Sequence, residues 1–147
     1  MAHYATTIES PLSVEEAFAR MADGRNFAAW DPGITEAKQI AGDGPGLDAE
    51  YEFAVKLPGN DMDMVYKVIE YVEPEVVVLE SKNRMLSALD KISVERRSDG
   101  DGCTVTYSAD LELTGALDLA DPVLEKAFQK IGDRAAEGMR AFLDAEQ

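Results

Sequence analysis

The chain has one cysteine, one histidine and one tryptophan among its 147 residues, and each scarcity removes a class of chemistry. Cys103 alone cannot close an intrachain disulfide. Nothing therefore points to an oxidising compartment, and with no activating partner in view the thiol reads as inert. His3 lies near a terminus, so a Ser-His-Asp or Cys-His arrangement has no support, and a zinc site built from histidine and cysteine has no ligands. Long hydrophobic runs are missing too. No stretch approaches the ~20 residues of a membrane helix, and Met1 to Glu9 lacks the apolar core of a signal peptide. Basic residues are sparse and scattered, 14 against 29 acidic ones, for a formal charge of −15. A field of that sign repels phosphate backbones and anionic lipid surfaces, which argues against nucleic-acid partners and membrane insertion. The expectation is a soluble cytoplasmic protein without cofactor or metal, and the length suits one domain, residues 1–147, with a single core.

What the chain does have is periodicity, most clearly at its end. Val105, Tyr107, Ala109, Leu111 and Leu113 alternate with Thr104, Thr106, Ser108, Asp110 and Glu112, the pattern of a strand with one apolar face. After a short Gly-containing joint the period becomes helical, with Leu124, Phe128, Ile131, Ala135, Gly138, Met139 and Phe142 on one side. Asp121 suits an N-cap and Pro122 the first helical position. From Asp121 to Asp144 such a helix spans roughly 36 Å. A helix that long with a wide apolar face needs a large concave sheet.

The preceding chain supplies one. His3 to Ile8 reads as an opening strand ended by Ser10-Pro11. Ser13 and Glu16 match a capping box before Val14, Ala17, Phe18 and Met21, a one-sided helix that Gly24 can close. A short helical turn over Asn26 to Trp30 must stop at Asp31-Pro32-Gly33. Six strands follow, at about 34–41, 47–57, 62–72, 76–82, 86–97 and 103–113, with connections short enough to favour antiparallel hairpins. Gly42 to Gly46 is acidic and lacks the Lys and Ser/Thr of a phosphate cradle, and Asp99 to Gly102 lacks the later glutamate of a calcium loop, so both read as turns. The opening strand, set apart by helices, can close the sheet beside the last one. The fold class is then α+β, a curved seven-stranded antiparallel sheet wrapped around a long C-terminal helix, with two short helices between strands one and two.

Several segments carry a resemblance: Ile8-Glu9-Ser10-Pro11 before a capped helix, Trp30-Asp31-Pro32-Gly33, Tyr66 to Tyr71 followed by Glu73-Pro74, Leu86 to Ile92, and the closing Val105 to Phe142. In that order they resemble the helix-grip, START-like superfamily, and within it the polyketide cyclase/dehydrase-like proteins. The resemblance covers essentially the whole chain. It implies the helix-grip fold and a cavity between sheet and helix, on a scaffold shared by enzymes, carriers, sensors and chaperone partners.

Strand parity nominates the lining. Tyr51, Phe53, Val55 and Leu57 share one face, and Met64, Tyr66 and Val68 another, although Val65, Ile69 and Tyr71 leave that strand apolar on both sides. With Trp30, Met85, Tyr107, Phe128, Ile131 and Met139 these make an aromatic and methionine-rich surface suited to a hydrophobic or aromatic small molecule, or simply a core. Asp90 is the sharpest observation. The parity that turns Ile92 and Val94 inward carries Asp90 and Ala88 with them. An inward carboxyl must be hydrogen-bonded, paired or protonated, unless a bulge turns it outward. Arg134 borders the helical stripe as a candidate partner.

Three functions compete. In an enzyme like the polyketide cyclase/dehydrases, Asp90 would shuttle a proton while Tyr66, Tyr107 or Arg134 stabilised an enolate oxygen. A carrier or sensor would use the same cavity without chemistry. An interaction module or homodimer would use the apolar strands Val65 to Val72 and Val76 to Leu79.

Overall fold

A computed structural model describes residues 2–57, 60–113 and 121–144. The chain opens with β1 (Ala2–Ser10), then α1 (Val14–Ala22), a single 3-10 turn (Gly24–Asn26) and α2 (Phe27–Trp30). Six strands follow without interruption: β2 (Ile34–Ala41), β3 (Glu50–Leu57), β4 (Asn60–Val72), β5 (Val76–Lys82), β6 (Leu86–Arg96) and β7 (Cys103–Leu113). Helix α3 (Asp121–Phe142) is the last element. Residues 58–59 and 114–120, and the side chains of Leu57, Asn60 and 121–124, which include the expected cap Asp121 and Leu124, lie outside the described residues.

All seven strands form one antiparallel sheet in the order β1-β7-β6-β5-β4-β3-β2. The first strand closes it as expected, pairing with the last from Ala2 opposite Leu111 to Ser10 opposite Cys103. Bulges bend the sheet between Ile34 and Glu36 and between Gln39 and Ala41 on β2, and between Val68 and Glu70 on β4. The last of these corrects the parity reading. Ile69 is the extra residue, so beyond it Tyr71 returns to the inner side and meets Phe18 edge to face at 5.4 Å. Strand β3 also starts later than expected. The segment before it holds Asp48 at φ 68°, and the Gln39 side chain clamps Gly44 by both its amide groups, at 2.9 and 3.1 Å.

Local signals place the helices. The Ser13 hydroxyl accepts the Glu16 N–H at 3.1 Å and starts α1. That helix stops at Ala22 rather than at Gly24, because extended Asp23 caps the following 3-10 turn through the Arg25 N–H. Gly24 serves a different need: a Cβ there would stand 2.5 Å from the ring of Tyr51.

Helix α3 lies across the concave face with Ala135, Ala136 and Met139 buried, and Leu143, just past its end, is buried as well. Its small residues permit close approach. A Cβ on Gly138 would meet the Trp30 carbonyl oxygen at 1.8 Å, and one on Gly132 would meet the Tyr4 ring at 2.3 Å. The end of α3 is tied down by the Ser10 hydroxyl, which donates to the Leu143 carbonyl at 2.7 Å, and by Arg20, which donates to the Phe142 carbonyl at 2.9 Å. Helix propensity alone would make Gly138→Ala stabilising by about 1 kcal/mol. The contact with Trp30 reverses that sign. Urea unfolding of Gly138→Ala should show a loss of ~2 kcal/mol or more, while exposed Glu137→Ala stays within ~0.5 kcal/mol of the parent.

Candidate functional site

Two regions share the space between sheet and helix, and they differ in how well they are filled. Around α2 an aromatic row packs solidly: Phe27 lies 4.9 Å from Trp30 and 5.2 Å from Phe53, and Phe53 lies 5.1 Å from Tyr66 and 6.2 Å from Tyr51. Trp30, Tyr51 and Phe53 are core residues here, away from any opening, and so is Met139. Met85 is exposed in the turn before β6, where its N–H is held by the Asn83 side chain at 2.7 Å. Arg134 is exposed on α3 beside buried Ala135, one position off the buried stripe. The structure brings none of these six to the cavity.

The cavity lies beyond the aromatic row, with a volume of about 70 Å³. Its polar side chains are Asp31, Tyr66, Asp90 and Tyr107, with Lys56 at the rim, and Met64, Phe128 and Ile131 are among its apolar walls; Asp110 borders it from the outer face of β7. The sheet itself makes the hollow. Asp90 stands opposite Ala109 on β7, with Ala88 two residues earlier on the same face, so two methyl-sized neighbours flank the carboxyl. Tyr107 reaches it diagonally, and its hydroxyl donates toward the carboxyl.

The sequence does not nominate Asp31 as a site residue, because Asp31-Pro32-Gly33 reads as a helix stop. It is one: the Asp31 N–H returns to the Phe27 carbonyl at 2.9 Å and its side chain accepts the Gly33 N–H at 2.8 Å. The same turn is anchored to β3 through the Lys56 N–H and the Gly33 carbonyl, at 2.8 Å, and so brings the carboxyl over the cavity. No periodicity encodes that placement. A helix stop whose acidic side chain ends up only 8% exposed is visible only after folding.

Burial sets the electrostatics. It pushes the Asp90 carboxyl up to about 8, helped by the charges of Asp31 and Asp110 and opposed by the Tyr107 hydrogen bond. Burial also lifts Asp31 to about 6, against the pull of the Gly33 N–H. Near neutrality the pair therefore holds one proton, on Asp90, and one charge, on Asp31. Tyr66 and Tyr107 are held well above the usual phenol range, first by burial and then by the two carboxyl groups, so both remain neutral donors. Asp110 is less buried and bonds to His3 Nδ1. Among the described residues no group of three or more histidine, cysteine, aspartate or glutamate side chains could hold a metal ion.

These shifts link to stability with a definite sign. Folded Asp90 keeps a proton that the unfolded chain releases above its ordinary value of 3.8, so stability falls as pH rises from about 4 to about 8 and levels off above that. Asp31 adds to the fall between about 4 and 6. Asp90→Asn removes the larger contribution. Melting curves from pH 4 to 9 should be flatter for this variant, with a gain over the parent on the order of a few kcal/mol at pH 9 and little difference at pH 4. Parallel curves for the two proteins would contradict the assignment.

On the outer surface Val65, Ile69 and Val72 of β4 are exposed at 43–44%, whereas Val77, Val78 and Leu79 of β5 are buried. No helix among the described residues is long and apolar enough to cross a membrane.

Comparison with known proteins agrees with this architecture. The fold is similar to that of a START superfamily protein from Mycobacterium smegmatis, with a TM-score of 0.78 at 15% identity over 97% of both chains. It is also similar to the protein TTHA0849 of Thermus thermophilus, with a TM-score of 0.78 at 12% identity over 96% of both chains. Ginseng major latex-like protein 151 from Panax ginseng aligns with a TM-score of 0.66 at 13% identity over 97% of both. No curated protein matches the chain by sequence. The family model described as polyketide cyclase/dehydrase and lipid transport matches residues 1–144, and the chain belongs to that family.

Proposed function

We propose that the protein binds a compact hydrophobic molecule by a single polar head in the cavity at Asp90. The observation that carries this reading is the carboxyl itself: a buried acid, which burial pushes toward its protonated form, beside a tyrosine hydroxyl in a hollow with apolar walls. A buried acid without a structural ion-pair partner is costly to keep for stability alone. Membership of a family that includes lipid transport supports a hydrophobic ligand. Size limits the candidates. Ligand pockets commonly enclose about 300–1,000 Å³, so this cavity takes a head group and a few carbons, with the remainder passing the rim at Lys56. Enclosing a longer polyketide chain requires Phe128 and Ile131 to move.

Trp30 supplies an internal reporter, because its ring meets Tyr107 edge to face at 5.3 Å. Native mass spectrometry of freshly purified protein should show a retained small apolar molecule, and adding that molecule back to stripped protein should change Trp30 emission saturably. Tyr107→Phe should weaken binding several-fold. A protein that carries nothing, and whose emission no apolar amphiphile alters, would sink this reading.

A second reading, proton-transfer catalysis of the cyclase/dehydrase kind, has one specific observation in its favour. The environments of Asp31 and Asp90 push two neighbouring carboxyls apart, leaving one base and one acid near pH 7. Tyr66 and Tyr107 would then hold the enolate oxygen, without the exposed Arg134. Given a substrate, Asp90→Asn should lower turnover by ~100-fold or more with affinity kept within a few-fold. Unchanged turnover removes Asp90 from the chemistry.

A further inference from the structure

We propose that the polar head this cavity takes is a protonated amine, seated among Asp31, Asp90 and Tyr66. The inference rests on the reading of the cavity as a ligand site and narrows it to one chemical class. Its basis is the sign and the valence of the lining. Two buried carboxyl groups, Asp31 and Asp90, and two tyrosine hydroxyls face the space, and the one basic residue among the described lining, Lys56, is exposed at the rim. An anionic head such as a fatty-acid carboxylate would enter against the Asp31 charge and the overall charge of −15.

The acceptors left over match an ammonium group. Asp31 uses one oxygen for the Gly33 N–H, and Asp90 faces the Tyr107 hydroxyl, which leaves each carboxyl with acceptor capacity. The Tyr66 hydroxyl has no protein partner among the described residues, although the side chain is only 7% exposed and lines the cavity. Two carboxyl oxygens and one phenol oxygen are three acceptors, and a primary ammonium has three donors. Met64, Phe128 and Ile131 would cover the first carbons of the body. The proton balance follows directly. The amine enters charged, the neutral Asp90 carboxyl gives its proton to solvent, and the ammonium then lies between two carboxylates.

The test uses the full chain at pH 7 with three probes of one length and different charge: hexylamine, hexanol and hexanoate. Trp30 emission and calorimetry in two buffers of different ionisation enthalpy give affinity and proton release. Hexylamine should bind at least tenfold more tightly than hexanol and release close to one proton, while hexanoate should not saturate. Asp31→Asn and Asp90→Asn should each erase most of the tenfold advantage. Should either fail to fold, Tyr66→Phe and the proton release of the parent still decide. Hexanol or hexanoate binding as well as hexylamine overturns the amine assignment and leaves the ligand site standing. So does an amine preference that survives in both Asn variants, since that preference belongs to the acidic surface. If none of the three binds while an apolar molecule co-purifies, the amine assignment alone falls. If nothing binds and nothing co-purifies, the cavity reading falls with it.

Discussion

At Gly138 the backbone of α3 rests on the Trp30 carbonyl, and at Gly132 it rests on the ring of Tyr4, with no space for a side chain at either point. These two contacts fix how deeply the helix sits in the sheet. Beyond them the hydrogen bonds from Ser10 and Arg20 hold its last turn. The second half of α3 is pressed down, with Ala135, Ala136 and Met139 buried, whereas Phe128 and Ile131 in its first half are only half-buried. Sheet and helix therefore meet as a wedge, tight at one end and open at the other. The cavity occupies the open end, and its position follows from where the glycines are.

The open end is also where the polar groups collect. An apolar sheet face normally rejects a carboxyl, because removing its charge from water costs several kcal/mol or more. Asp90 is accommodated by becoming neutral, with Tyr107 as hydrogen-bond donor. Asp31 keeps its charge more easily, since a backbone N–H is fixed on it. Two residues of one type, both 8% exposed, thus take different states because one is held by a turn and the other stands on a strand.

Much of the frame was legible in the sequence, for physical reasons that also mark where legibility stops. Strand periodicity is enforced by the pleat, so the alternation from Val105 to Leu111 could be read directly, and the side of Asp90 could be read on condition that no bulge intervened. That Gly138 and Gly132 allow close contact rather than leave room is not readable in the sequence, because it depends on Trp30 and Tyr4, distant in the chain. The aromatic residues Trp30, Tyr51 and Phe53 look the same in a sequence whether they line a cavity or fill a core, and here they fill it. The bulge at Ile69 breaks period two with no glycine or proline to announce it. Asp31 was hidden by its own turn.

The hollow beside Asp90 exists because Ala109 and Ala88 are alanines on adjacent strands, each surrounded by regular pairing. Neither residue caps a helix, makes a turn or touches the two glycine contacts that seat α3. Volume and scaffold are thus separately encoded: valine or glycine at 88 or 109 would resize the space while leaving the wedge in place. In such an arrangement ligand size can drift through two strand positions while the fold stays the same, which is one physical route by which a single architecture comes to hold many different molecules.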